Sequence, residues 1–342
     1  MTKMNLNSRI LKNVLKLTGI VGLGFVGKTV FDYKKNKTNQ SYRSLLLERL
    51  FGAFSGLLRK IESRTFYKKS LKVIGIKTRK YVDVPQFEGI KTSEVYVNNM
   101  QVLLFNDKKD VNQQVIFYLH GGAYVFQPNR EHFNTVEDII KKTDAHVVMP
   151  IYPKAPNHDY KVAYPKILEA YRKTISKTAS RENITFVGDS AGGGLVVGLS
   201  SLLTYADIPQ PRQLILISPW LDAASNNPNM KIFKESDRVS PSQTFLQVTG
   251  QLWAGGENDV YHPLVSPIYT KQITNLPPLY IIAGGDEMFY PDILRFQSYL
   301  LEAGIEVQLF IKDHMMHNYA IFRTPEGEEA RNIISEKILM TE

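Results

Sequence analysis

Gly188-Asp189-Ser190-Ala191-Gly192 sets a serine between two glycines. The short apolar run before it, Ile184 to Val187, reads as a buried strand, and the run after it, Gly193 to Leu199, reads as a buried helix. A serine at such a strand-to-helix turn is held clear of the chain. Glycines flank it because a Cβ at either side would collide with the neighbouring strand or helix. The helix N-terminus favours negative charge beside it. This arrangement suits nucleophilic attack on an acyl carbon, which also needs a base, an acid to orient that base, and donors for the developing oxyanion.

Other segments offer those parts. His120-Gly121-Gly122-Ala123-Tyr124 follows the apolar stretch Gln114 to Leu119, and its glycines let backbone N–H groups approach a ligand. The amides of Gly121, Gly122 and Ala191 are the expected oxyanion donors, and His120 is expected to anchor the loop. Asp286 follows the strand-like run Leu279 to Gly285, at the strand end where open sheets place their sites. It is the expected acid. Glu287 and Asp292 are alternatives, with Glu287 expected to point to the other side of the loop. Asp189 adjoins the serine and is poorly placed to orient a histidine that must also reach Ser190. Two histidines, His314 and His317, follow the last strand. His317 is preferred as base because it leads into Asn318 to Phe322, which can turn back toward the site.

The elements that position these residues alternate strand and helix. Val95 to Val97 and Val102 to Phe105 predict an antiparallel pair turning at Asn98-Asn99. Further strands are predicted at 114–119, 146–151, 184–187, 213–217, 279–283 and 307–311, with helices at 164–177, 191–205, 290–303 and 326–340. Repeated strand–helix units imply an α/β fold with a mostly parallel central sheet and helices on both faces. Residues 223–262 break the rhythm and read as an insertion above the sheet. Ser44 to Ile61 predicts an amphipathic helix, and 62–92 an irregular basic connector. The division is thus an arm over 1–40, a cap helix and connector over 41–92, and a catalytic domain over 93–342. Tyr124, Phe233, Phe245, Trp253 and Phe289 are the aromatic candidates for an apolar substrate pocket.

Charge divides the chain in two. Residues 1–80 carry 19 Lys/Arg against 3 Asp/Glu, a net of +16, whereas the remainder nets −7. A basic arm on an acidic body points to an anionic surface. The arm has few aromatics and a high apolar content, which favours a membrane over nucleic acid. Its apolar piece, Leu17 to Gly27, is bounded by lysines and short of the roughly 20 residues of a spanning helix. It reads as a surface or marginal anchor, a helix packed on the body, or a signal segment, although no small-x-small cleavage site follows. The expected location is therefore cytoplasmic or membrane-associated, with secretion the third reading. Gly22 to Thr29 also fits the phosphate-cradling G-x-x-x-x-G-K-[ST] pattern. The lysine-rich segment after it lacks the apolar repeat of the helix that a P-loop requires, so nucleotide binding is the minor alternative. The absence of cysteine excludes disulfides, thiolate chemistry and cysteine–zinc sites.

With these segments in place, the chain resembles the hormone-sensitive-lipase-like branch of the α/β-hydrolases, bacterial carboxylesterases marked by His-Gly-Gly and Gly-Asp-Ser-Ala-Gly. The resemblance covers roughly residues 90–340, and the segments at Ser218 to Asp222 and Leu276 to Pro278 are similar as well. It implies Ser190 as nucleophile, Asp286 as acid and His317 as base, in the order that fold uses. It also implies an oxyanion hole from the glycine loop and Ala191, and a helical cap built partly from the N-terminal region. Ester hydrolysis through an acyl-enzyme, on short- to medium-chain acyl or lipid esters, needs no cofactor and no metal. An amidase or peptidase using the same three residues is the alternative. The sequence departs from the family where Ala123 stands for a third glycine, where Tyr152 to Asn157 replaces Tyr-Arg-Leu-Ala-Pro-Glu, and where Asp286-Glu287-Met288 replaces Asp-Pro-Leu.

Overall fold

The computed structural model describes residues 40–340 apart from 60, 79–80, 234–235 and 272–274. The arm through residue 39, with its apolar piece and the Gly22 to Thr29 pattern, lies outside the described residues.

Eight strands form one sheet: β1 (Thr92–Val97), β2 (Met100–Phe105), β3 (Val115–Leu119), β4 (His146–Pro150), β5 (Ile184–Asp189), β6 (Gln213–Ile217), β7 (Leu279–Gly284) and β8 (Val307–Lys312). Their spatial order is β1-β2-β4-β3-β5-β6-β7-β8. The first two strands form an antiparallel hairpin in which Val97 faces Met100, and β2 pairs antiparallel with β4. Asn98 and Asn99 both have positive φ (48° and 60°), as a tight hairpin turn that follows the strand twist requires. All later pairings are parallel.

The central strands β3, β5 and β6 are buried along their whole length, which is why they read as continuous apolar runs. Alternate side chains feed two cores. Leu279, Ile281 and Ala283 of β7 join one with α4 (Tyr160–Ile175), α5 (Ala191–Tyr205) and α7 (Tyr290–Glu302), whereas Ile282 joins the other with α3 (Arg130–Thr143) and α8 (Pro325–Leu339). The parallel strands therefore all present their C-terminal ends along one edge.

The remaining helices are α1 (Tyr42–Arg59), α2 (Arg64–Thr78) and α6 (Gln243–Trp253). The first half of the segment expected to be an irregular connector is thus helical. Its apolar signal, Tyr67, Leu71 and Gly75 at four-residue spacing, is thin among lysines, but it is the buried stripe. Tyr67 packs edge-on against Phe245 of α6 at 5.3 Å, and its hydroxyl meets Ser242 Oγ at 2.9 Å. Tyr67, Leu71, Phe245 and Val248 share a cluster with Val125 and Ala155, so α2 and α6 lie over the loop that follows β3. Helix α3 was not marked in the sequence by an apolar run; Asn129 caps it, accepting from the N–H groups of Glu131 and His132. No helix among the described residues is long and apolar enough to cross a membrane.

Candidate active site

Strand β5 ends at Asp189 and α5 begins at Ala191, so Ser190 alone makes the turn. Its backbone sits at φ 51° and ψ −119°, a costly conformation for a residue with a Cβ. The surroundings impose it: Ser190 N–H donates to Ile217 O at 2.8 Å, and Trp220 N–H donates to Ser190 O at 2.9 Å. The flanking glycines are sterically required. A Cβ on Gly188 would stand 2.4 Å from Gly192 O, and one on Gly192 would stand 1.9 Å from Leu119 O. The serine turn is therefore pressed against the end of β3, from which the His-Gly-Gly loop departs.

His317 Nε2 lies 2.9 Å from Ser190 Oγ, and its Nδ1 lies 3.3 Å from Glu287 Oε2. In this chain of contacts the hydroxyl donates to Nε2 and Nδ1–H donates to the carboxylate. All three side chains are buried. Of the two candidate histidines, His317 meets the serine and His314 does not.

Asp286, expected to orient that histidine, is elsewhere. Its carboxylate faces His314 Nδ1 at 3.7 Å, and both side chains are more than a third exposed. The backbone explains the exchange. Asp286 N–H donates to Met315 O, and Asp286 O accepts from Ser236 Oγ. With that peptide fixed on both sides, consecutive side chains point to opposite sides of the loop, and Glu287 is the inward one. Its extra methylene carries the carboxylate to His317. Asp292 is buried apart from His317, accepting from Asn227 Nδ2 at 2.7 Å.

The glycine loop also differs in detail. Gly121 N–H donates to Asp189 Oδ1 at 3.0 Å, which removes it from the set of available oxyanion donors. The amides of Gly122, Ala123 and Ala191 donate to no acceptor among the described residues. Gly122, Ala123 and Tyr124 all have positive φ (112°, 52° and 61°), a curl that can turn successive N–H groups toward one anion. Ala123 thus occupies a left-handed position where glycine would be the unstrained choice. His120 holds the base of the loop. Its Nδ1–H donates to Gly121 O at 2.6 Å, its ring stacks on Tyr152 at 4.6 Å, and its carbonyl accepts from Tyr152 OH at 2.8 Å.

Of the five aromatic pocket candidates, Phe289 touches this constellation, packing edge-on against His317 at 4.9 Å. Tyr124 and Trp253 stack face to face at 4.5 Å, fully buried in the core. Phe245 packs on Tyr67, and Phe233 on Tyr290. Trp253, Phe245 and Phe233 thus meet other rings rather than Ser190 or His317. Tyr124 and Trp253 are core residues, and Phe245 lies in the contact between α2 and α6.

A family model described as alpha/beta hydrolase fold matches residues 116–321, the span from β3 through the loop bearing His317. The chain belongs to that family. It is 28% identical to an esterase of Acinetobacter venetianus over 65% of its own length and 74% of the relative's. It is equally identical, at 28%, to an acetyl-hydrolase of Streptomyces hygroscopicus, over 64% of this chain and 72% of the other. A solved esterase of the bacterial hormone-sensitive lipase family superposes with a TM-score of 0.73 at 26% identity, covering 88% of this chain and 98% of that one. The protein is an esterase-type α/β hydrolase of the hormone-sensitive-lipase-like branch.

In this α/β hydrolase, electrostatics follow from burial. Burial alone would lower the pKa of His317, but the hydrogen bond and charge of Glu287, with Asp237 and Asp189 beyond, raise it above the ordinary imidazole value. Burial raises Glu287, and His317 offsets part of that. Asp189 is the buried carboxylate that ties the site together. It accepts from Tyr118 OH (2.8 Å), Gly121 N–H (3.0 Å), Asn318 Nδ2 (3.0 Å) and His132 Nε2 (3.2 Å). Burial would raise its pKa, but His132, Tyr118 and the Gly121 amide hold it below the usual carboxylate value. One side chain thus joins β3, the glycine loop, α3 and the histidine loop. Asn318 N–H donates to Ser218 Oγ at 3.0 Å, and Met288 N–H donates to Asp237 Oδ2 at 2.8 Å, fixing the loops beside His317 and Glu287. The sequence reading missed Ser218 and Asp237 in these roles, and no spacing in the chain marks them. Asp189 was weighed in the sequence only as an acid for the histidine, and its anchoring role was missed as well. Among the described residues, no three or more His, Asp and Glu side chains are grouped as metal ligands would be.

Proposed function

We propose that Ser190, His317 and Glu287 are the catalytic triad of a carboxylic-ester hydrolase, with the Gly122, Ala123 and Ala191 amides as its oxyanion hole. The observation that carries this reading is the buried relay from Ser190 Oγ through His317 to Glu287, at 2.9 and 3.3 Å. Ser190 Oγ attacks the acyl carbonyl as its proton passes to His317 Nε2, while Glu287 holds the imidazole by Nδ1–H and stabilises the imidazolium. The carbonyl oxygen becomes an oxyanion facing the three amides, each donor contributing about 3–4 kcal/mol. Collapse breaks the ester C–O bond, and His317 returns the proton to the departing alkoxide. Water, deprotonated by His317, then attacks the acyl-enzyme and releases the acid and Ser190.

Short- to medium-chain acyl or lipid esters are the substrate class. The acetyl-hydrolase name of the Streptomyces relative supports the short end of that range. The outer face of α2 supports work at an anionic membrane surface. Lys69, Lys72 and Lys77 are exposed there together with Phe66, Val73 and Ile76, and lysines with apolar anchors suit a lipid interface.

Replacing Ser190 with Ala is the test. Fluorophosphonate labelling and p-nitrophenyl ester turnover should both vanish; turnover retained by the variant would refute the assignment. Parallel esters and amides of one acyl group would report the preference between them.

A further inference from the structure

A cavity of about 330 Å³ lies at the end of the sheet opposite Ser190. It reaches Val115 and His146, the first residues of β3 and β4, whereas the glycine loop leaves the other end of β3. One five-residue strand separates the two places by about 17 Å. The cavity is therefore not a branch of the acyl site.

Short apolar side chains form most of its inner wall, joined by Leu104, His146 and Thr174. Val97, Val102, Val115 and Val148 come from the sheet and Ala170 from α4, all of them buried. Valine facing alanine leaves the gap that a longer side chain would fill. The mouth is basic. Lys173 follows Ala170 by three positions and shares its face of α4, and Lys177 joins it from the turn just beyond the helix end. Both are exposed, and neither makes an ion pair among the described residues. Of the two carboxylates at the rim, Asp107 is paired with Lys109 at 2.5 Å, while Asp110 accepts from Asn112 N–H at 2.9 Å and keeps its charge, so three lysines against two aspartates leave the mouth net positive.

An apolar chamber with unpaired cations at its lip complements a molecule with one anionic head and one hydrocarbon tail. We infer that this cavity binds a medium-chain carboxylate, its tail among the valines and Ala170 and its head between Lys173 and Lys177. The volume lies at the low end of small-molecule pockets, which suits a single unbranched chain rather than a two-chain lipid. A carboxylate of this kind is also what hydrolysis of a medium-chain ester releases, but the site does not depend on the chemistry at Ser190.

Titration calorimetry of the full chain, phosphonylated at Ser190 to block the acyl site, tests this with sodium decanoate as probe and decanol as its uncharged counterpart. The expected result is one equivalent of decanoate, bound at least tenfold more tightly than decanol. Lys173→Glu with Lys177→Glu should weaken decanoate at least tenfold, and Ala170→Leu should abolish binding. Ester turnover of both unlabelled variants should stay within twofold of the parent. The exposed lysine pair keeps the test valid where Ala170→Leu fails to fold. No decanoate uptake, equal affinity for decanol, or an affinity unmoved by the lysine changes would each overturn the proposal. If Ser190 does not take up the phosphonate, the triad reading fails instead. The same titration on unmodified protein, compared with the lysine variant, still reports on the cavity.

Discussion

Glu287 accepts from His317 Nδ1–H at 3.3 Å while being wholly buried, and the adjacent Asp286 stands outside the relay, opposite His314. A one-residue offset in the loop after β7 thus separates a buried carboxylate able to orient an imidazole from an exposed one that is not.

The two carboxylates should therefore respond oppositely to amide replacement. Glu287→Gln keeps the shape but no longer favours the productive tautomer, so kcat for a p-nitrophenyl ester should fall about 10³–10⁴-fold. Asp286→Asn alters an exposed pair and should stay within about threefold of the parent. The reverse ranking would return the role to Asp286.

The pH profile follows from the same pair. His317 acts as base only when neutral. Burial would lower its pKa, but Glu287 outweighs this and raises it above 6.5. Protonation therefore removes the base at a higher pH than for an ordinary histidine, and the acid limb of kcat/KM should fall above 6.5. In the residual activity of Glu287→Gln the limb should move to lower pH. A parent limb below 6.5, or one unmoved by the substitution, would contradict the coupling.

Which parts were legible in the sequence has a physical pattern. The sheet was legible because β3, β5 and β6 are buried on both faces and must be apolar throughout. The serine turn was legible because its glycines answer steric contacts that no side chain can satisfy. The acid was not, because Asp286 and Glu287 are neighbours of like chemistry, and only the bonds to Met315 and Ser236 decide which points inward. The Gly121 donor failed for a similar reason: its amide is taken by Asp189, a contact between segments 68 residues apart. Helix α2 was obscured because most of its surface is exposed and basic, leaving a narrow buried stripe.

Asp189 should be among the most sensitive positions outside the relay. Asp189→Ala leaves the hydrogen-bond donors of Tyr118, Gly121, His132 and Asn318 buried without an acceptor. Loss of a buried, paired charge costs about 3–5 kcal/mol, which urea unfolding would measure. Turnover should fall too, since the glycine loop and His317 loop lose their common anchor. A cost below about 1 kcal/mol would show the carboxylate to be incidental.

Gly192→Ala tests the contact between the serine turn and β3. The added Cβ would stand 1.9 Å from Leu119 O, and the obstacle is backbone rather than a movable side chain. The variant should lose about 3 kcal/mol or more of stability, or fail to fold, whereas Ala123→Gly should stay within about 1 kcal/mol of the parent, since relief of the left-handed strain offsets the lost methyl and the freer unfolded chain. Thermal unfolding of the two variants side by side reads both. A well-folded, fully stable Gly192→Ala protein would mean the two segments do not meet as described.

The outer face of α2 makes the membrane reading measurable. Lys69, Lys72 and Lys77 project from α2 away from the Tyr67, Leu71 and Gly75 stripe that is anchored on α6, so their charges can be reversed without disturbing that packing. At about 1 kcal/mol per lysine near an anionic bilayer, replacing all three with glutamate should weaken co-sedimentation with phosphatidylserine-containing vesicles by roughly 10²-fold or more at low salt. Binding to purely zwitterionic vesicles should change far less, and added salt should erode the difference. Hydrolysis of a water-soluble p-nitrophenyl ester should be unaffected, because these side chains lie outside the stripe through which α2 covers the loop. Vesicle binding equal in parent and variant would remove α2 from the membrane contact and leave residues 1–40 as the segment to delete next.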